Sequence, residues 1–518
     1  MRRPAVCLIG TGPGDPRLLT VLGMERLRAA DTVVYDHRVS RRLLRHARAD
    51  AELIDLGAAG PHPSARGAIG YLLAEKAREG RLVIRLQAGD PFVFSRGGEE
   101  ASYLREQRVP FEVVPGVPAG TSVPTYAGVP VSYAGAGETV TLVRGCEDES
   151  RTPPDVDWSS LARVGGTVVC HASASQLRSI LDALRASDWP ADTPGLIVHN
   201  GTQPTQTATA GTIGELQSAM HSASRGSSPA VLIVGPVTRL REQLQWFDVR
   251  PLSGRRVLVT RPREQAADLA DRLAELGAEP IEVPVIRIGP PEDRDPLLRA
   301  VAAPERYGWI VFTSVNASDA FMTAFFELHP DARMLNGPKL CVVGPGTAQR
   351  LMRYALKADL VPDEFRAEGV IAAMTRSAPL AGVRVLLPRA DIGREVIAEH
   401  LRQAGALVED VVAYRTVVAE ALRAGDPDVY RLMLEGEIDV VTFTSASAVR
   451  AFAAIYGEEQ TADLLKQTVV AVIGPTTADA ARRLGIPVAV EPSSYTVAAL
   501  VEAIAAHYDR REGNRTGL

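Results

Sequence analysis

The second half of this chain is written twice, and that duplication limits what it can fold into more than any other feature. RRVLVTRPREQAADLADRLAELGAEPIEV, starting at Arg255, matches VRVLLPRADIGREVIAEHLRQAGALVEDV, starting at Val383, 128 residues later. WIVFTSVNA at 309–317 matches VVTFTSASA at 440–448, and CVVGPGTAQRL at 341–351 matches AVIGPTTADAARRL at 471–484. The order is kept and the offset stays near 130. Two copies predict a duplicated lobe, because a solenoid needs a longer array. Each copy alternates short β-rich apolar runs with helical stretches, the pattern of α/β architecture. Leu269, Leu273 and Leu276 share one helical face ahead of the breaker Gly277, so they are expected in a core.

The first half reads as α/β as well, with strands expected over 5–9, 32–35 and 82–86 and a helix near 17–29. CEDESRTPPDVDW at 146–158 is expected as a surface loop. A linker, 248–254, precedes a fresh strand at Val257, and the polar 509–518 tail is expected to fray. The 518 residues suit roughly three to four domain-sized units. A net charge of −5, spread along the chain, argues against a nucleic-acid reader. Of the 57 basic residues only Lys76, Lys339, Lys357 and Lys466 are lysines, so an arginine here is weaker evidence of anion binding than usual. Cys7, Cys146, Cys170 and Cys341 form no CxxC pair and are expected to be buried thiols. The nine histidines form no HxxxH or HExxH, so no bound metal is expected. MRRPAVCLIGTGPGDP has too short an apolar run for a signal peptide, and no 18-residue apolar stretch occurs, so a soluble, cytoplasmic protein is expected.

Four turns in the second half place hydroxyls or glycines between an apolar strand and a helix. They hold Thr313, Ser314 and Asn316; Gly344 and Thr347; Thr444, Ser445 and Ser447; and Gly474, Thr476 and Thr477. Ligands gather at the carboxyl ends of strands in open α/β sheets, and helix N-termini there favour anions. Four such turns suggest a cleft for a ligand with several negative groups. The plainer alternative is that the Ser and Thr side chains only cap helices. No GxxxxGK[ST] is present, and spacing shows no nucleophile–base pair, which fits a site that mainly shapes a reactive substrate.

FTSVNA, VGPGTA, LLPRAD, AYRT, TFTSAS and IGPTTA, in that order, give 255–508 a resemblance to uroporphyrinogen-III synthase. The resemblance implies two α/β lobes, 255–285 plus 418–508 and 290–413, joined by strands near 283–288 and 412–417. It implies closure of hydroxymethylbilane to uroporphyrinogen III with inversion of the last ring and without a cofactor. Tyr414 matches the tyrosine proposed to assist departure of the hydroxyl. Thr313, Ser445 and Thr477 match cleft-lining positions. Arg261 and Arg389 stand at equivalent repeat positions where they could meet carboxylates.

CLIGTGPGDPRLLT opens the first half, but Asp15 stands where a GxGxxG fingerprint needs glycine. With GDPFVFSRGGEE at 89–100 and VGPVTRLREQLQW at 234–246 it makes residues 1–247 resemble the tetrapyrrole methylases, nearest to uroporphyrinogen-III C-methyltransferase. That resemblance implies two α/β domains with S-adenosylmethionine between them, usually as a dimer. The cofactor would be lined by Pro13, Ala88, Gly89, Asp90, Val93, Pro118, Ala119, Ala172 and Gly201, with Asp36 as proton acceptor. Several positions depart from the family: Ala58 and Gln87 replace lysines, Ala88 a glycine, Tyr133–Ala134 a His-Arg pair, Pro118 a threonine and Ala172 a methionine. These changes are expected to remove cationic or polar groups from the clefts.

The expected protein is therefore a bifunctional enzyme. It would take a tetrapyrrole substrate through cyclisation and then through two methylations to precorrin-2. Two alternatives stay open. One is an active synthase carrying a non-catalytic methylase, and the other is a binding protein for an anionic ligand.

Overall fold

A computed structural model describes residues 4–57, 67–145, 155–222, 229–363, 367–391, 396–418 and 427–513. Ala58, Cys146 and most of the polar 146–158 stretch lie outside them. The chain divides into two compact units, Met1–Gly254 and Arg255–Leu518.

The first unit contains two sheets. β1 (Val6–Gly10), β2 (Thr32–Tyr35), β3 (Glu52–Asp55), β4 (Val83–Gln87) and β5 (Phe111–Val114) form a parallel sheet in the order β3-β2-β4-β1-β5. Val6 to Ile9 are wholly buried, as expected for a central parallel strand covered on both faces. β6 (Val140–Val143), β7 (Thr167–Ser173), β8 (Pro194–His199), β9 (Thr207–Thr212) and β10 (Pro229–Val234) form a mixed sheet, β6-β7-β10-β8-β9.

The helix expected over 17–29 is two pieces. Asp15 caps a 3₁₀ turn, Pro16–Leu18, by accepting from Arg17 N–H, and Thr20 caps a new helix, Val21–Arg28. Two capping side chains five residues apart offer the backbone separate starts. Trp158 is likewise not in a loop, since Asp157 caps a helix, Trp158–Val164.

In the second unit the duplication is visible as topology. β11 (Arg256–Val259) and β12 (Glu279–Glu282) join two later strands in one parallel sheet. The remaining strands are β13 (Ile286–Gly289), β14 (Trp309–Phe312), β15 (Lys339–Val342), β16 (Arg384–Ala390), β17 (Leu407–Val418), β18 (Val440–Phe443) and β19 (Val469–Val472). The sheets run β12-β11-β18-β19 and β13-β17-β16-β14-β15, so each lobe repeats the same four-strand order. β17 pairs in parallel with β16 over Leu407–Tyr414, then antiparallel with β13 over Arg415–Val418. That second stretch is a two-stranded connection. Leu269 and Leu273 are buried as expected, while Leu276 is half-buried at the helix end, where Gly277 takes φ +100°. The last helix, Val497–Gly513, runs past Tyr508 into the segment expected to fray.

Cys7, Cys170 and Cys341 are buried free thiols, and burial pushes each up to about 12, so they are inert at neutral pH. No helix among the described residues is long and apolar enough to cross a membrane, and they hold no cluster of three metal-ligating side chains.

Candidate functional sites at the strand ends of both units

In the first unit the loops after β1, β4 and β5 leave the same edge of the parallel sheet, where ligands bind in such folds. They are fused by backbone. Gly12 and Gly89 exchange main-chain hydrogen bonds at 3.2 and 2.8 Å. Asp90 accepts from Phe92 N–H at 2.7 Å and from Gly116 N–H at 3.0 Å, which ties the second loop to the third. Its carboxylate is thus engaged in loop architecture.

The close approach explains the glycines. A methyl group on Gly116 would lie 2.2 Å from the Gly89 carbonyl oxygen and 2.6 Å from Gly10 C, both rigid backbone. Gly116→Ala is therefore expected to separate these loops and reduce cofactor affinity by at least about tenfold. Calorimetric titration with S-adenosylmethionine checks this, and unchanged affinity would contradict it. Gly89, by contrast, has open space where its side chain would begin. A rim of main chain with room above it fits a cofactor held by backbone. Pro13, Ala88, Gly89, Val93, Pro118 and Ala119 are all half-buried along this rim. Pro118 starts the helix Ala119–Tyr126 without a side-chain cap.

The second sheet closes the rim through Asn200 to Gln203. Asp15 N–H donates to Thr202 Oγ1 at 3.1 Å, and Thr202 N–H donates to Gln206. Gly201 packs so tightly that a Cβ would stand 2.5 Å from Val123. Asn200, Thr202 and Phe94 all have positive φ, of 49°, 67° and 57°. For a β-branched threonine that conformation is strained, and such strain collects at functional sites. Asp15 also pairs with Arg17 and accepts from Tyr126 OH at 3.0 Å. Burial alone would raise its pKa, but the Arg17 hydrogen bonds outweigh that and hold it below the usual range. The residue that ruled out a dinucleotide fingerprint is thus a structural hub.

Two of the expectations need correction here. The side chain of Ala172 is packed in the core of the second sheet with Leu177 and Leu232, so it can meet a cofactor only through its main chain. Its neighbour His171, on the other strand face, stacks edge-on to Phe94 at 5.5 Å. Gln87 does not mark a cation lost from the cleft either. It is buried and donates to Glu100 at 2.8 Å, while accepting from Ser95 at 3.3 Å.

Beside Gln87 lies a group that sequence reasoning missed. The fully buried Arg85 bridges Asp36 Oδ1 at 2.6 Å and Glu100 Oε1 at 3.3 Å, and also donates to the Leu86 carbonyl. Burial raises the Glu100 pKa, Arg85 opposes this, and Asp36 adds to it. Asp36 itself is 26% exposed, the one carboxylate of the group that reaches solvent. Tyr133 and Ala134 are exposed.

In the second unit Ser314 and Ser445 do cap their helices, accepting from Ala317 N–H at 3.1 Å and Ala448 N–H at 3.2 Å. The plain capping alternative thus holds for these hydroxyls. Yet each has a second partner, and the partners differ: Ser314 meets Tyr414 OH at 3.1 Å, whereas Ser445 meets Ser447 at 3.0 Å. The helices begun at Gly344 and Gly474 have no side-chain cap. Thr347 and Thr477 are buried, so their hydroxyls do not line an open cleft, whereas Thr476 is exposed and Thr313 and Thr444 half-buried.

Tyr414 is 8% exposed and sits where the β16–β17 register shifts, Arg389 opposing Val412 but Ala390 opposing Tyr414. A bulge of this kind re-aims side chains beside functional sites. Burial raises its pKa, against lowering hydrogen bonds with Ser314 and Asn316. The phenol therefore carries its proton at neutral pH. Of the two repeat arginines, Arg389 is consumed by Asp410 at 2.6 Å, which corrects its expected role. Arg261 makes no such pair among the described residues, and burial lowers its pKa.

Comparison with known proteins supports two families in one chain. A family model of tetrapyrrole (corrin/porphyrin) methylases matches residues 5–217, and one of uroporphyrinogen-III synthase HemD matches 267–502. The chain is 34% identical over 507 residues to the porphyrin biosynthesis protein HemD of Ruminiclostridium josui, covering 97% of this chain and 98% of that one. It is 32% identical over 336 residues to a uroporphyrinogen-III C-methyltransferase of Bacillus subtilis, covering 65% and 68%. It is 38% identical over 240 residues to an S-adenosyl-L-methionine-dependent uroporphyrinogen III methyltransferase of Methanosarcina barkeri, covering 46% and 94%. Fold and matches together define an enzyme of tetrapyrrole biosynthesis. The chain belongs to the family that fuses a tetrapyrrole methylase to a uroporphyrinogen-III synthase.

Proposed function

We propose that the second unit closes hydroxymethylbilane to uroporphyrinogen III with inversion of the last ring. The first unit then methylates that product twice to precorrin-2. The observation that carries the synthase reading is the buried, protonated phenol of Tyr414 beside Ser314 and Asn316. Such a group can hand its proton to a departing hydroxyl, which leaves as water. The electrophilic end left behind is then attacked by a pyrrole carbon. Uncatalysed closure gives the type I isomer, so geometry decides the product. Arg261 and the uncapped helix starts at Gly344 and Gly474 are suited to the substrate's carboxylates.

In the first unit S-adenosylmethionine supplies an electrophilic methyl group when bound. The main-chain rim of Gly12 to Asp15, Ala88 to Val93, Gly116 to Ala119 and Asn200 to Thr202 would hold it. Asp36, anchored through Oδ1 on Arg85 and partly exposed, would accept the pyrrole proton. The direct test of the synthase half is isomer analysis after incubation with fresh hydroxymethylbilane. Type III product supports the reading, and type I alone overturns it.

A further inference from the structure

Arg261 and Arg389 occupy the same place in the repeat and keep different company. Arg389 donates Nε to Asp410 and Nη1 to the Ala390 carbonyl at 3.0 Å. Among the described residues Arg261 Nε is buried without a partner, and the one hydrogen bond of its guanidinium runs from Nη2 to Gln265 Oε1 at 3.3 Å. Asp268 is near enough to be felt but does not pair with it. A desolvated cation without a counter-ion is costly, and an incoming carboxylate would relieve that cost.

Gln265 carries the connection onward. Its Nε2 donates to Asn316 Oδ1 at 2.5 Å. Gln265 belongs to the helix Arg263–Glu275, which packs on β11 and β12, whereas Asn316 lies on Val315–Leu328, beside β14 of the other sheet. Asn316 is the second residue of that helix, and the helix's capping Ser314 meets Tyr414 OH at 3.1 Å. The line Arg261–Gln265–Asn316 therefore runs from a cation without a counter-ion among the described residues to the helix start on the other lobe, where Ser314 holds the Tyr414 phenol. Among the described residues it has no counterpart at the repeated turn, where Ser445 turns onto Ser447 and Arg389 is already neutralised.

We propose that Gln265 is a positioning residue that couples carboxylate capture at Arg261 to the orientation of Tyr414. It thereby fixes which end of a polycarboxylate substrate faces the proton donor. This rests on the synthase reading and on Tyr414 as donor. A substrate carboxylate takes Arg261, and Gln265 keeps Asn316 in place, so that Tyr414 presents its proton to the hydroxyl on that same end.

The test uses the full chain with hydroxymethylbilane and reads KM, kcat and the type III to type I ratio. Gln265→Glu puts a carboxylate beside Arg261, copying what Asp410 does to Arg389, and also removes the donor to Asn316, so it should raise KM by about tenfold as well as lower kcat. Gln265→Ala leaves Arg261 open but cuts the line, and should lower kcat by about tenfold and admit more type I product. Thermal unfolding should match wild type for both. Wild-type kinetics in either variant would overturn the proposal. So would equal losses in both variants together with a lowered melting temperature, since that marks a merely structural contact. Failure of the underlying reading looks different: wild type then makes no type III product, or Tyr414→Phe reacts at the normal rate.

Discussion

Tyr414→Phe should form uroporphyrinogen III about 10²- to 10⁴-fold more slowly than wild type, the range for removing a positioned general acid. The side chain loses one oxygen and keeps its ring, which packs in the core of its lobe with Phe312 and Phe321. The fold should therefore survive. The phenol's hydrogen bond with Ser314 is lost, but Ser314 still accepts from Ala317 N–H. Single-turnover kinetics with product isomers resolved would measure the effect. As enzymatic closure slows, the uncatalysed type I product should rise in its place. A variant with a normal rate would show that the hydroxyl leaves without help from this residue.

Arg85→Met should destabilise the methylase unit by about 3–5 kcal/mol, the cost of breaking a buried ion network by removing one partner. Met matches much of the stem, so the loss is electrostatic. Glu100 would keep only the Gln87 amide, and Asp36 would lose the guanidinium that anchors it. The pH dependence follows from Glu100. Its folded pKa is already raised by burial. A raised carboxylate stabilises fully below its unfolded pKa of about 4.3, and that contribution is lost as pH rises through the folded value. Without Arg85 the folded pKa rises further. The penalty should thus be largest at alkaline pH and shrink toward pH 5. Thermal melts of wild type and variant across that range would show it. A gap that stays constant, or widens in acid, would contradict this account of the cluster.

Much of the second unit was legible because a repeat exposes its own boundaries. Paired apolar runs 128 to 131 residues apart had to be equivalent strands, and both sheets show the same order. The repeat misled where equivalence of sequence did not extend to surroundings. Arg261 and Arg389 look alike, and only the partner Asp410 on the next strand separates them. Gln265 stands four residues beyond Arg261, so its reach to Arg261 was readable as helix spacing, but its bond to Asn316 depends on the second lobe.

In the first unit the motifs located the rim while hiding how it is built. Arg85 stands between Ile84 and Leu86 in VIRLQ, a central strand, which hinted at a buried and therefore paired charge. Its partners come from β2's end and from the helix Gly97–Glu106, a tertiary fact no spacing states. Gln87 looked like a cation lost from a binding cleft because alternation along a strand does not say which face is interior when both are buried. Thr202 gave no warning of its positive φ, since threonine has no preference for that region. Its conformation is imposed by Gln206 and Asp15.

The central claim is that one chain performs consecutive reactions, and a single incubation tests it. Purified protein would receive fresh hydroxymethylbilane with and without isotopically labelled S-adenosylmethionine, followed by separation of isomers and mass measurement. The account predicts type III product throughout, carrying two labelled methyl groups when the cofactor is present. Type III product that never gains a methyl group would contradict the methylase half, and type I product alone would contradict the synthase half on which the rest depends.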